Sequence, residues 1–519
     1  MKRILCGILL AASILGTPGI AEALPSQIVN GSFDYPWKSP RLDGAPNENR
    51  FRFCYVAPDG RYYTMNNEIT YGRFNGFDRS AFGWTSNDRM DENSPGEIKL
   101  SNIVELQKDK HGNVYAELVS ENTGKSIYQD IATEPGTIYR WSLKHASIYG
   151  DHADKMSVLI GAPGRETVQQ ANRTSTNGSG DKKGPVGTVI ATTPPDGRSS
   201  TTVGSGATGG TATIDTSGLW ESYGGVYLVP EGQTTTRFTF ADVEGYDYDS
   251  GNFVDDIEFE VAYPVTYDVN GGKGSVPDPA AGNYSGYHVE GSIVAVNAPA
   301  PERDGYTFLG WSEKKLEPVT SKEQADKAGV TTSVTMGDSA VTLHAVWAKN
   351  PTVTFEDGHG GSVIAAQTVP FGAGASVPAD PKRTGYTFEG WQGSFDEVYS
   401  DLTVEAAWSA NRYTVAFDGN GGEGSMEDMA MVYDEPENLA PNGFARTGYT
   451  FVGWNAESDG SGKAYSDKQE VSNLTAADGA TVVLHAQWRP NEYAVVFDAN
   501  DGDAVGEMGN QGFKYDAAA

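Results

Sequence analysis

The side chains that could carry acid–base, nucleophilic or metal chemistry in this 519-residue chain are 7 histidines, 2 cysteines and 69 acidic residues. Their spacing argues against catalysis. The sequence contains no His-Glu-x-x-His pattern, zinc-ligand spacing, Gly-x-Ser-x-Gly elbow or phosphate loop. The nearest approach to a constellation is His145, Asp151, His152 and Asp154. It spans the end of one strand, a turn and the start of the next, and reads as a loop turn. Acidic pairs are too frequent in so acidic a chain to mark a glycosidase. Cys54 sits in the apolar run Phe53-Cys54-Tyr55-Val56, which predicts a buried thiol and not a nucleophile. Tyr62, Tyr63, Tyr71 and Trp84 stand outside any clear alternation and are the rings available to stack on a ligand.

The first residues speak to compartment. Lys2 and Arg3 precede the apolar run Ile4 to Leu15, and Ala21-Glu22-Ala23 follows, the pattern of a signal peptide cleaved after Ala23. That run is shorter than the ~20 residues a spanning helix needs. No later stretch is long and apolar enough, so the mature chain is expected to be exported with no transmembrane segment, to the extracellular space or cell surface. Cys6 leaves with the signal peptide, and Cys54 then has no disulfide partner. The 69 acidic against 38 basic residues give a net charge of −31, which disfavours nucleic acid and anionic membranes as partners. With 63 Gly and 26 Tyr, the composition favours strands and turns.

Internal repetition organises the second half. Gly305-Tyr306-Thr307-Phe308-Leu309-Gly310-Trp311 recurs as Gly385-Tyr386-Thr387-Phe388-Glu389-Gly390-Trp391 and as Gly448-Tyr449-Thr450-Phe451-Val452-Gly453-Trp454. Each copy follows a strand-like run (Val265 to Val269, Thr352 to Phe355, Tyr413 to Phe417), with turns at Asn270-Gly271, Asp357-Gly358 and Asn420-Gly421. Each closes on an alternating strand, Val341 to Trp347, Leu402 to Trp408 and Val482 to Trp488. Period-two alternation marks a half-buried strand. Units this small need every large side chain for packing, so the motif tryptophans are expected in cores and not in a ligand-binding ladder. The pattern resembles the Listeria–Bacteroides, or internalin B-type, repeat. That resemblance implies tandem β-grasp-like modules on bacterial surface proteins, serving as spacers or weak contact surfaces. The units are placed at 263–349, 350–409 and 410–490, with a short helix at Ser321 to Ala328 in the first. A fourth copy, 491–519, opens and stops short of its central motif, which suggests a fragment of a longer protein.

Residues 24–262 show no repeat. Short strands are expected at Ile103 to Gln107, Val114 to Val119, Ile138 to Leu143, Met156 to Ile160, Val226 to Val229, Thr235 to Phe240 and Phe253 to Val261. Such strands, with turn residues between them, point to a sandwich or jelly roll. Ala171 to Gly218, rich in Gly, Ser and Thr, reads as a long loop. Asn30-Gly31-Ser32-Phe33-Asp34 and Gly251-Asn252-Phe253-Val254-Asp255-Asp256-Ile257 resemble the opening and closing elements of carbohydrate-binding jelly rolls. In such folds the first and last strands pair, and carboxylates there ligate a structural Ca²⁺. The resemblance therefore implies a calcium site at Asp34, Asp255 and Asp256, whose hard oxygen ligands suit that ion.

The fold class expected is mainly β: an N-terminal jelly-roll β-sandwich followed by tandem small β-grasp-like repeats. The function expected is a non-catalytic surface adhesin or glycan-binding module, with a glycan or extracellular protein as partner and Tyr62, Tyr63, Tyr71 and Trp84 as its stacking rings. The alternatives are a purely structural surface spacer and the non-catalytic part of a larger secreted enzyme.

Overall fold

A computed structural model of the chain describes residues 24–37, 53–66, 68–89, 99–118, 125–147, 152–178, 184–195, 215–245, 251–277, 286–498 and 508–517. The expected signal peptide at 1–23 lies outside them. The regular structure of the described chain is nearly all strand, with two short helices.

The head is two packed sheets. One is built from β1 (Phe53–Val56), β2 (Arg61–Asn66), β3 (Glu68–Arg73), β5 (Val104–Lys108), β6 (Val114–Leu118), β8 (Ile138–Ala146), β11 (Ala171–Ser175), β12 (Gly184–Gly187), β14 (Glu221–Leu228) and β16 (Asn252–Asp268). The other contains β4 (Thr85–Ser86), β7 (Ser126–Ala132), β9 (Asp154–Gly161), β10 (Thr167–Val168), β13 (Ile190–Thr192) and β15 (Thr235–Glu244). The larger sheet runs β12-β11-β14-β8-β16-β6-β5-β1-β2-β3, and the smaller β10-β9-β15-β7-β4 with β13 added on β9.

Alternation sets which face meets the core. Along β8, Tyr139, Trp141, Leu143 and His145 are buried, while Arg140, Ser142 and Lys144 are half-buried on the other face. Between the sheets lie Trp84, Trp141, Phe33, Phe82, Phe238 and Phe240, all fully buried. Each such side chain contributes about 1.5–3 kcal/mol by leaving water.

The structure departs from the sequence pattern in two places. β1, β2, β3 and β7 were not among the expected strands, and β1 and β2 carry adjacent Cys-Tyr and Tyr-Tyr pairs that blur their alternation. Within the expected loop at 171–218, β11, β12 and β13 form, with Ala171, Ile190 and Thr192 buried. Ladder hydrogen bonds are made by backbone, so a Gly- and Thr-rich segment can still add strands at a sheet margin. Residues 196–214 of that segment lie outside the described set.

β16 continues past the end of the head. Its first part pairs with β8 and β6, and Val265 to Asp268 then pair in parallel with Val341 to His344 of the first repeat. The boundary placed at 262/263 therefore falls inside one 17-residue strand.

The second and third repeats share one topology. In the second, Thr352–Glu356 pairs antiparallel with Val363–Thr368 and in parallel with Leu402–Ala410, which pairs antiparallel with Tyr386–Trp391. In the third, Arg412–Asp418, Met429–Val432, Tyr449–Asn455 and Thr481–Pro490 take the same places. This is the β-grasp strand order, 2-1-4-3. Asn420 and Gly421, at φ 45° and 88°, make the primed turn that Asn-Gly favours. The third core gathers Tyr413, Val415, Met431, Leu439, Trp454 and Leu484, all buried. The helix expected in the first repeat is present as Lys322–Asp326, capped by Ser321.

Candidate functional site

Strand register draws a line of side chains straight across the larger sheet. Tyr71 lies opposite Tyr63, Tyr63 opposite Tyr55, Tyr55 opposite Glu105, Glu105 opposite Glu117, Glu117 opposite Phe253, and Phe253 opposite Ala146. Directly paired residues point to the same face of a pleated sheet. Their strand neighbours Cys54, Leu106, Ala116 and Val254 belong to the core cluster, so this row occupies the outer face.

The row has two chemical halves. Tyr55 and Tyr63 stack ring on ring, with centroids 4.3 Å apart and planes 8° off parallel, and Tyr71 leans on Tyr63 at 6.2 Å. Tyr55 and Tyr63 also pack against the buried Ala57, Leu100 and Ile103, and the Tyr71 hydroxyl is itself buried. Next to them lie two carboxylates held by one amide. Gln107 Nε2 donates to Glu105 Oε1 at 3.2 Å and also to Glu117, while Gly251 N donates to Glu117 Oε1 at 3.0 Å. Tyr115 Oη donates to Gln107 Oε1 at 3.4 Å, and its ring packs on Phe253 and Trp220 at 4.6 and 5.5 Å. Glu105, Gln107 and Glu117 are all buried. Burial, and then the charge of Glu105, pushes the Tyr55 hydroxyl far above its ordinary range, so it stays a proton donor.

The same face continues into an open groove of about 650 Å³, lined by Arg140, Ser142, Lys144, Ser222, Asp256 and Glu258 among others. Ser142 Oγ donates to Glu258 at 2.7 Å, and Lys144 pairs with Asp256 at 2.5 Å. The volume lies within the range of small-ligand sites.

The residues singled out from sequence divide. Tyr63 and Tyr71 stand on the outer face. Tyr62 and Trp84 do not: Tyr62 is 7% exposed and packs on Phe74 at 4.8 Å, and Trp84 is 0% exposed between Phe33 and Phe240. Trp84 also donates from Nε1 to Asn30 O at 2.8 Å. Neither ring has a free face, which corrects the expectation that they stack on a ligand. Tyr62 and Tyr63 are consecutive in a strand, so the pleat sends one into the core and the other out.

The opening and closing motifs do meet: Ile257 N donates to Gly31 O at 3.0 Å. Asp255 is buried, accepting from Asn113 Nδ2 at 2.8 Å and from Asp256 N at 2.8 Å. Asp256, at φ 46°, is turned out to Lys144. Asp34 is half-buried in the opening segment. Among the described residues, no three His, Cys, Asp or Glu side chains gather as a metal-holding group.

His145, the first member of the nearest constellation, lies near the end of β8, at the strand end the spacing implies. It is fully buried, with Nδ1 2.6 Å from Thr192 Oγ1 and Nε2 2.8 Å from Asn252 Oδ1. Burial pushes its pKa down to about 4. Thr192 and Asn252 extend this network to Tyr223, Glu221 and Asp242, which ties strands of both sheets together. Asp151 lies outside the described residues. Cys54 is buried, as its apolar run predicts.

Sequence reasoning missed Tyr55, Glu105, Gln107, Glu117, Tyr115 and Trp220. One signal was available. In Val104-Glu105-Leu106-Gln107 and Val114-Tyr115-Ala116-Glu117, polar or aromatic residues alternate with core residues, which marks an outer face able to hold them.

Residues 263–346, 352–404 and 413–476 match the family model of the Listeria-Bacteroides repeat domain. These segments are Listeria-Bacteroides repeats. Two curated proteins of Evansella cellulosilytica are similar to the chain. One, named "Putative membrane protein", is 31% identical over 268 residues, 48% of this chain and 37% of that protein. The other, "Putative Gly-rich membrane protein", is 28% identical over 260 residues, 47% of this chain and 26% of that protein. The chain thus matches well under half the length of either relative. Among solved structures, "CBM4 structure and function" covers 45% of this chain and 97% of its own at 14% identity, with a TM-score of 0.20. The xylan-binding domain from CBM 22 covers 42% and 97% at 11% identity, with a TM-score of 0.16. At such scores neither likeness bears on what the head binds. Among the described residues no helix is long and apolar enough to cross a membrane.

Proposed function

We propose that the head is a non-catalytic glycan-binding module, carried on Listeria-Bacteroides repeats at an extracellular surface. The observation that supports this most is the outer-face row Tyr71–Tyr63–Tyr55–Glu105–Glu117, with Gln107 beside it and an open polar groove on the same face. A sugar ring offers apolar C–H edges and several hydroxyls. Tyrosine rings meet the first, and fixed carboxylate and amide groups meet the second. Glu105 and Glu117 are adjacent on one sheet and tethered to a single amide, an arrangement suited to accepting hydroxyl hydrogens in place.

A glycan array on the whole chain tests the reading, with Tyr63→Ala and Glu117→Gln as variants and reducing-end release measured in parallel. Binding lost in both variants, with no release of reducing ends, is the expected outcome. Release that disappears in Glu117→Gln would replace binding with hydrolysis, and binding to no glycan would leave an extracellular protein partner or a spacer role. A structural Ca²⁺ at Asp34 and Asp255 is a narrower proposal, supported by the contact between Gly31 and Ile257 that brings the two motifs together.

A further inference from the structure

Each joint between successive repeats shares one contact among an asparagine, a glycine and a threonine. At the first, Asn350 N donates to Gly305 O at 3.0 Å and Thr307 Oγ1 donates to Asn350 Oδ1 at 2.7 Å. At the second, Asn411 N donates to Gly385 O at 2.9 Å and Thr387 Oγ1 to Asn411 Oδ1 at 2.7 Å. There Tyr433 packs edge-on against Tyr386 at 5.9 Å, and Tyr386 Oη donates to Asp434 at 2.9 Å. The third joint repeats this set. Asn491 N donates to Gly448 O at 2.8 Å, Thr450 Oγ1 to Asn491 Oδ1 at 2.6 Å, and Tyr449 Oη to Asp516 at 3.1 Å, while Tyr515 packs edge-on against Tyr449 at 5.7 Å. Arg446 lies over the Tyr449 ring at 4.0 Å, as Arg383 lies over Tyr386. Gly448, at φ 79°, leaves the space that Tyr515 fills; a Cβ there would come within 2.3 Å of that ring.

What the third joint holds differs from the others. Glu492–Val495 and Gln511–Lys514 pair as a two-stranded hairpin, and every residue of both strands is exposed. An isolated hairpin of two strands is marginally stable at best in water. The second and third repeats instead enclose cores of their own.

We infer that the Arg446–Thr450 face of the third repeat is a docking site for the opening hairpin of a following copy, and that the paired strands 492–495 and 511–514 keep their fold through this contact. Three features recognise the occupant. An asparagine is held by its backbone and side chain, an aromatic ring is seated against a left-handed glycine, and an aspartate receives the tyrosine hydroxyl. Dependence runs one way. The third repeat closes its core with its own strands around Trp454, Leu484 and Ala486, whereas every residue of the hairpin strands is exposed.

Hydrogen exchange on the full chain tests this by following amides at 492–495 and 511–515 beside those at 481–490. Tyr515→Ala is expected to speed exchange in the hairpin by roughly tenfold or more and to leave 481–490 unchanged. Tyr515→Phe, which keeps the ring, should preserve protection. Trp454→Ala should strip protection from the hairpin wherever it opens the third repeat. Hairpin protection that survives Tyr515→Ala, or that survives while 481–490 exchange freely, would overturn the inference. So would a hairpin already exchanging at coil rates in the unaltered chain, and loss of protection at 481–490 in Tyr515→Ala would overturn the one-way dependence.

Discussion

The head and the repeats are both rich in aromatic residues and use them in opposite ways. In the repeats, Trp311, Trp347 and Trp454 are buried. The half-buried Trp408 and Trp488 are also committed, donating from Nε1 to Asp357 O at 2.7 Å and to Gly419 O at 2.9 Å. Phe388 and Phe451 pack edge-on against them. Among the described residues of the head, Trp84, Trp141 and six buried phenylalanines share the core cluster between the sheets. Tyr55, Tyr63 and Tyr71 stand on the opposite face of the larger sheet, Tyr55 and Tyr63 against Ala57, Leu100 and Ile103. A small unit buries a smaller share of its surface and needs all its rings for stability. A two-sheet sandwich has room for rings on its outer face as well, and the proposed glycan contact rests on those that stand in register with Glu105 and Glu117.

Breaking a repeat core should give the largest effect. Trp454 touches Phe417, Phe444 and Phe451 at 4.8, 6.1 and 5.0 Å. Trp454→Ala should cost about 3–5 kcal/mol and shift the third repeat's melting transition while leaving the head's in place. An unmoved transition would return this ring to the category of ligand contacts. The adjacent pair Tyr62 and Tyr63 sharpens the contrast within the head. Tyr62→Ala should destabilise the head by about 3 kcal/mol, whereas Tyr63→Ala should cost about 1 kcal/mol and abolish glycan binding. Equal stability losses with binding intact would erase the distinction between the two faces.

Calcium gives a smaller effect, confined to the head. An ion at Asp34 and Asp255 in hundredfold excess over its Kd would add about 2.7 kcal/mol by binding the native state alone. The head should then melt higher in Ca²⁺ than in chelator, and Asp255→Asn should shrink the shift. Identical melting curves, in a sample shown free of metal beforehand, would dispose of the ion. The repeats should show no shift in either case.

The smallest expected effect is pH dependence in the buried head network. His145 has its pKa depressed to about 4, so the stability it supports is present above about 6.5 and is lost as pH falls towards 4. Burial, followed by the charge of Asp154, raises Asp242 to about 6. Its contribution is therefore full below about 4 and is lost as pH rises through 6, the reverse slope. Each proton changes stability by at most about 1.4 kcal/mol per pH unit, and the two partly cancel. Asp242→Asn should remove one slope and steepen the loss of stability between pH 6.5 and 4, measured by denaturant unfolding. An unchanged pH profile would mean that Asp242 does not titrate in this range.

Much of the fold was legible because its signals are local. Val482, Leu484, Ala486 and Trp488 alternate within one strand, Asn420-Gly421 makes its own turn, and Ser321 caps the helix that follows it. The outer face was legible only in fragments. Glu105 and Glu117 sit at alternate positions in their strands, but nothing local says that Tyr55 will stand beside Glu105 or that one Gln107 will hold both carboxylates. Tyr62 and Tyr63 could not be separated by composition, since the choice of buried ring belongs to the strand's register against its neighbours.

By itself the sequence determined the strand-rich composition, the triplicated Gly-Tyr-Thr-Phe-x-Gly-Trp unit, the buried thiol and the joining of a non-repetitive head to a repetitive tail. Each of these rests on short-range chemistry: alternation, turn propensity and side-chain volume. Only the tertiary structure decided that Trp84 packs inside, that Gly31 meets Ile257, that β16 is shared by the head and the first repeat, and that seven strands align their outer residues in one row. Those outcomes depend on pairing between residues far apart in the chain. Register between distant strands is set by the sum of core burial over the whole sheet and by no residue alone.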